Sequence, residues 1–204
     1  MLFIMNHKEA MEFTRSNQIT MKRYKTKADV RYVDIKEYID LVKDNDIESI
    51  DLDFLCQRMM KIFYNVNPKE LRTMMQSEVV ELIQDINVIM ADDNIEFKNI
   101  IEMNGVKYGF IPNFSEITAG ELIDLDDCYK NDDMVSATSI LYRPIVGKVD
   151  KVGKYRIEPY KGYDNKFKDV TWDIVTGYRA LFQRSLQILS HLTNSSTEME
   201  NPMK

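Results

Sequence analysis

The chain has 204 residues, 44% hydrophobic and 29% charged, with 7 Gly, 5 Pro, 2 Cys and a formal net charge of -6. That share of apolar side chain excludes disorder over most of the length, and the scarcity of glycine and cysteine excludes collagen-like and disulfide-stapled classes. No apolar run approaches the roughly 20 residues that cross a bilayer, and the stretch from Met1 to Met5 is too short for a signal peptide, so a soluble intracellular protein is expected.

The only concentrated basic run is Lys22 to Lys27, which is expected to be a solvated strand or loop face because an acidic chain repels nucleic acid overall. Val33, Ile35, Tyr38, Ile39 and Val42 recur at helical spacing, with Asp34 and Glu37 placed as a capping box. A second apolar helix follows Asp51 or Asp53 and runs through Leu55, Met59 and Phe63. Asn67-Pro68-Lys69-Glu70 is a helix restart, since Asn caps, Pro suits the first helical position and Glu reaches back. Val80, Ile83, Ile86 and Met90 mark a further helix beginning near Ser77. Asn104-Gly105 between apolar runs predicts a hairpin, because both residues tolerate positive φ, with Tyr108, Phe110 and Ile111 on the return strand before Pro112.

Thr118 and Glu121 frame another capping box, opening a short helix through Leu122, Ile123 and Leu125. A helix from Met134 to about Tyr142 should end at Arg143, since Pro144 disfavours helical geometry in the residue before it. Tyr155 to Tyr160 alternates like a strand or extended arm. Trp172, Val175, Tyr178, Leu181, Phe182 and Leu189 predict one long amphipathic helix over residues 170–192. The expectation is a mainly α fold with a small β-hairpin, an α+β class. It divides into an N-terminal arm or strand region at 1–30, a first helical half at 31–93, hairpin plus second helical half and long helix at 94–192, and a disordered tail at 193–204.

The halves echo each other. Asp34 to Leu41 and Thr118 to Leu125 both place Glu, an apolar residue, Ile, Asp and Leu in that order, followed by an acidic linker and an apolar helix ending on an aromatic residue. Either the fold is pseudo-duplicated or short helices coincide by chance.

No catalytic triad is visible. His7 and His191 are isolated, and Cys56 and Cys128 lack a second ligand at zinc spacing, so they read as free thiols. Asp124, Asp126, Asp127, Asp132 and Asp133 lack the glycine and the terminal glutamate of a calcium loop, and read as caps and linkers. Gly147, Gly153 and Gly162 do not form a phosphate loop. No metal, cofactor or catalytic residue is expected. Thirteen methionines suit either core filling or an adaptable groove for another protein's helix.

Gly120-Glu121-Leu122-Ile123-Asp124-Leu125, Leu141-Tyr142-Arg143-Pro144-Ile145 and Tyr155-Arg156-Ile157-Glu158-Pro159-Tyr160 resemble small virion-morphogenesis proteins of tailed bacteriophages, most of all the tail assembly chaperone type. The likeness covers approximately Thr118 to Phe182, with a fainter version from Gln18 to Met90, where Lys36 replaces the glycine. The resemblance implies a non-enzymatic protein of the infected host's cytoplasm that binds a tail protein such as the tape measure, with self-association left open. Tyr142, Arg143, Tyr155, Tyr160 and Tyr163 are the expected partner-binding residues, as exposed anchors of large contact area. A permanent virion subunit of tail, neck or connector ring is the alternative, and an enzyme with a site built from distant acidic residues and tyrosines is a third.

Overall fold

The computed structural model describes residues 21–44 and 51–182. The class is α+β. In chain order the helices are α1 (Tyr32–Asp44), α2 (Leu52–Tyr64), the single turn α3 (Pro68–Leu71), α4 (Gln76–Ala91), α5 (Ala119–Lys130), α6 (Met134–Leu141) and α7, helical over residues 172–182. The strands β1 (Ile100–Met103), β2 (Val106–Phe110), β3 (Tyr142–Val146) and β4 (Arg156–Ile157) form one antiparallel sheet in the order β1-β2-β3-β4. The expected arm before residue 21, the tail and the far part of the C-terminal helix, with His7 and His191, lie outside the described residues.

Local chemistry accounts for most helix starts. Asp51 caps α2 by accepting the Asp53 amide, and complete capping boxes open α3 (Asn67 with Glu70) and α5 (Thr118 with Glu121). The box expected at Asp34 and Glu37 does not form. Helix α1 begins two residues earlier, and Asp34 sits inside its first turn, paired with Arg31 at 2.5 Å. The two echoing segments thus share their order along the chain but not their capping chemistry. In the hairpin turn, Asn104 (φ 51°) and Gly105 (φ 75°) both adopt the left-handed region, so the strands pair with Ile101 opposite Tyr108.

The expected helix exit at Tyr142 and Arg143 is instead a strand. Helix α6 stops at Leu141 and β3 starts at once, pairing Tyr142 with Phe110 and Arg143 with Gly109. The hairpin is thereby extended to a sheet. Gly109 is required there, because a Cβ would lie 2.2 Å from the Tyr155 ring.

Three hydrophobic clusters fill the interior. One gathers β1, β2, α5, α6 and α7 around Phe110, Ile140, Leu141 and Tyr178; a second packs α1, α2 and α4 around Ile35, Phe63 and Ile86; a third is a smaller group around Met60 and Leu82. Met59, Met60 and Met134 are core filling, whereas Met75 is exposed. Tyrosine hydroxyls knit α2 to its neighbours: Tyr24 donates to the Phe63 carbonyl (2.6 Å) and Tyr64 to that of Leu82 (2.8 Å).

The two main clusters meet at a single β-bridge between Arg31 and Thr171. The Tyr32 amide donates to Val170 O (2.8 Å) and the Trp172 amide to Val30 O (2.9 Å). Val30 and Val170 are fully buried beside it, and Trp172 packs against both clusters.

The basic run is a solvated face at Lys22, Arg23 and Lys25, as expected, but not at Lys27. Arg23 bonds Glu81 and Asp85 on α4, and Lys27 is buried, its ammonium donating to the carbonyls of Asp92 and Asn94 (2.9 Å to the latter) while lying 5.5 Å from the centre of the Trp172 ring. Lys27→Met should therefore lower stability by about 1–3 kcal/mol, because two carbonyls lose their donor. The same change at the exposed Lys25 should stay within about 0.5 kcal/mol, both read from urea midpoints.

Burial raises the phenol pKa of many tyrosines, to about 12 for Tyr32 and Tyr129 and well above its ordinary value for Tyr178. Each ring holds its proton more tightly folded than unfolded. Their contribution is therefore complete below about pH 10, where unfolded phenols are still protonated, and is lost as pH rises through the folded values. Stability should be insensitive to these groups from neutral pH to about 10 and fall beyond it, with phenolate absorbance appearing together with loss of helix.

Candidate functional site

The segments 120–125, 141–145 and 155–160 come together in space, and the first link is a buried ion pair. Glu121 Oε2 accepts the Thr118 amide at 2.7 Å as part of the α5 capping box, which leaves Oε1 facing β3. Arg143 Nη1 lies 2.9 Å from that oxygen. The side chains are 14% and 3% exposed. The contact is ionic and off the hydrogen-bond direction, since Oε1 has no hydrogen-bond partner and Arg143 Nε is likewise buried without one.

The second link is Tyr160. Its ring centre is 5.9 Å from the Arg143 guanidinium carbon, and its hydroxyl donates to Asp124 Oδ2 at 2.5 Å, one turn along α5 from Glu121. Desolvation first, and the Asp124 carboxylate second, raise the Tyr160 phenol pKa, so the ring is a neutral donor under ordinary conditions. Glu121, Arg143, Tyr160 and Asp124 thus join the capping box, the strand and the extended segment into one network.

Pro144 decides where that extended segment leaves the sheet. The Glu158 amide donates to Pro144 O at 2.9 Å, but proline has no N–H to return to Glu158, so the β3–β4 ladder ends there. Residues 158–167 then cross as a strap. Tyr160 pins it to α5, and the Asp164 amide, which donates to Ser139 Oγ (3.1 Å), pins it to α6. Phe167, buried edge-on against Tyr108 at 4.9 Å between ring centres, pins it to β2.

Between strap and sheet lies a cleft of about 560 Å³. Val106, Tyr108 and Pro144 form the sheet wall, Tyr160 and Tyr163 the strap wall, and Arg143 borders both. Lys161 stands exposed on the strap, while Lys166 is held by Asp164 at 2.6 Å. The arrangement offers aromatic faces and aliphatic surface with a few fixed charges, which suits binding of a chain segment or a small amphipathic molecule.

The five expected anchors divide sharply. Tyr142 is 1% exposed and its hydroxyl donates to Lys98 O at 2.6 Å, so it is a core residue and not an exposed anchor. Tyr155 is half-buried, its ring filling the space over Gly109 and its hydroxyl donating to the carbonyls of Asn99 and Phe110. Arg143 and Tyr160 are half-buried in the network just described. Only Tyr163 is exposed, at 44%.

Three more of the aspartates singled out in the sequence have local partners. Asp132 pairs with Lys36 (3.2 Å), Asp126 with Lys130, and Asp133 caps α6 through the Ser136 amide. Cys128 is a buried free thiol whose pKa is raised to about 11 by desolvation, and Cys56 is a half-buried one. Among the described residues no group of three His, Cys, Asp or Glu is placed to hold a metal ion.

Sequence reasoning missed the strap and its partners Ser139 and Phe167, because nothing local signals a loop that earns its place through distant contacts. Pro144 is visible in the sequence as a helix terminator, whereas in the fold it ends a strand ladder.

Arg143→Ala should cost about 3–5 kcal/mol, since it strands the Glu121 carboxylate in the interior. Replacing both members, Arg143→Met with Glu121→Gln, should recover a substantial part of that loss. Thermal or urea unfolding reads the difference, and an Arg143→Ala chain as stable as the parent would contradict the role given to the pair. Comparison with protein-family models, with curated proteins and with solved structures finds no match to this chain.

Proposed function

We propose that this protein is a non-enzymatic factor of tailed-phage assembly, a tail assembly chaperone that holds a segment of another tail protein while the tail forms in the host cytoplasm. The observation that supports the reading is that two of the three resembling segments line one cleft, while the third braces them from behind through Glu121 and Asp124. Glu121 stands behind the cleft; through Arg143 and Tyr160, which border it, Glu121 and Asp124 brace the strap against α5. A tape measure-like protein, long and largely helical, would offer apolar side chains to the Tyr108, Tyr160 and Tyr163 faces while Lys161 meets an acidic neighbour.

The exposed rim provides the test that the braced residues cannot. Tyr163→Ala with Lys161→Ala should leave helix content and the urea midpoint within about 0.5 kcal/mol of the parent. The same pair should weaken capture of the phage's own tape measure protein by about ten-fold or more. Mass spectrometry of purified particles should find the protein missing from the mature virion. Its stoichiometric presence there would favour the alternative of a ring or tail subunit, and unchanged capture by the double variant would remove the cleft from the contact.

A further inference from the structure

The surface carries two exposed patches that complement each other. Residues 143–168 hold eight Lys and Arg against three Asp and Glu, in a chain whose net charge is -6. The loop joining β3 to β4 concentrates this excess. Val146, Val149 and Val152 alternate with Lys148, Lys151 and Lys154, one Val-x-Lys unit every three residues. All six are exposed, Val152 at 82%, and the three lysines form no ion pair among the described residues. The loop is internally ordered: Asp150 Oδ1 accepts the amides of Val152 (2.9 Å) and Lys154 (2.7 Å), and Gly147 and Gly153 take the positive φ values that its turns need. Its partner therefore meets a preformed surface and loses little to ordering it.

A surface of alternating valine and free lysine calls for a partner that is both apolar and acidic. A phosphate backbone would satisfy the lysines and leave the valines in water, and the loop offers no aromatic ring for a base to stack on. The required chemistry is present on the chain itself. On the outer side of α5, Leu122 and Ile123 are 51% and 68% exposed, more than most large apolar residues of the protein, and Asp126 and Asp127 follow one turn later. Asp126 faces only the exposed Lys130, and Asp127 has no ion-pair partner among the described residues.

We infer that the β3–β4 loop of one copy docks on the outer face of α5 of a second copy, its valines against Leu122 and Ile123 and its lysines against Asp126 and Asp127. Each copy offers one loop and one helix face, so the contact is either made twice across a two-fold axis, closing a dimer, or repeated from copy to copy as a ring or filament. The inference is independent of the cleft and of the chaperone reading.

Sedimentation velocity of the full chain over a range of concentrations tests it. The parent should self-associate at about 50 mM NaCl and dissociate at least about ten-fold more readily at about 500 mM, because the lysine–aspartate contacts are exposed to screening. One variant carries Lys148→Glu, Lys151→Glu and Lys154→Glu; another carries Asp126→Lys and Asp127→Lys. Each alone should be monomeric with unchanged helix content, because its loop and its α5 face then carry the same sign. Mixed in equal amounts they should associate again, because each loop then meets an α5 face of opposite sign. A monomeric parent at low salt, association indifferent to both sets of changes, or a mixture that stays monomeric would each overturn the inference. So would a monomeric parent whose loop lysines instead bind a single-stranded oligonucleotide or phosphatidylserine vesicles.

Discussion

The bridge between Arg31 and Thr171 is the constraint on which the architecture turns. Two backbone hydrogen bonds, made by Tyr32 and Trp172, join the start of the first helical half to the start of the last helix, and fully buried Val30 and Val170 shield them. Several links between the two clusters lie near these residues: Tyr32 reaches into the sheet-side cluster, Trp172 into both, and Lys27 lies against the Trp172 ring. Arg31 itself pairs with Asp34 and Asp169 on either side of the bridge. A few polar contacts in an otherwise apolar seam fix the register of two helical bodies that hydrophobic packing alone would let slide.

The same division of labour holds around the cleft. Glu121 serves two masters, the α5 amide and the Arg143 guanidinium, and a neutral residue could not satisfy both. Tyr160 covers the pair and ties the strap to Asp124. These residues hold a shape. The proposed contacts with other molecules fall instead on exposed groups, Tyr163, Lys161 and the lysines of the β3–β4 loop.

Helix starts were legible in the sequence wherever the signal was local. Asn67 with Glu70, Thr118 with Glu121, and the Asn104-Gly105 turn each specify their geometry within a few residues, and the structure has all three. Asp34 and Glu37 carry the same pattern and fail. Arg31 claims the Asp34 carboxylate, and the bridge at Arg31 sets the chain direction before the helix begins. Strand β3 was invisible for the complementary reason. Tyr142-Arg143-Pro144 has no strand periodicity of its own, and its conformation is imposed by pairing with Gly109 and Phe110. Of the five residues read as anchors, the sequence distinguished none by exposure, because a tyrosine's hydroxyl suits a buried carbonyl as well as it suits water. The Val-x-Lys periodicity from Val146 to Lys154 matches neither a helix nor a strand period, so it signals no element in the sequence.

The bridge also dictates when the protein can finish folding. Its two sides stand at opposite ends of the described chain, so the contact closes a loop that encloses nearly every other element. During synthesis, α1, α2 and α4 emerge early with their apolar faces ready, yet Trp172, which packs against their cluster, is among the last described residues to leave the ribosome. Until then the N-terminal half stands with an open flank. Its helices can form and pair locally on fast timescales, but the docked state waits for the slow closure of that long loop. A nascent chain stalled before residue 172 would present this flank to whatever binds apolar surface in its surroundings.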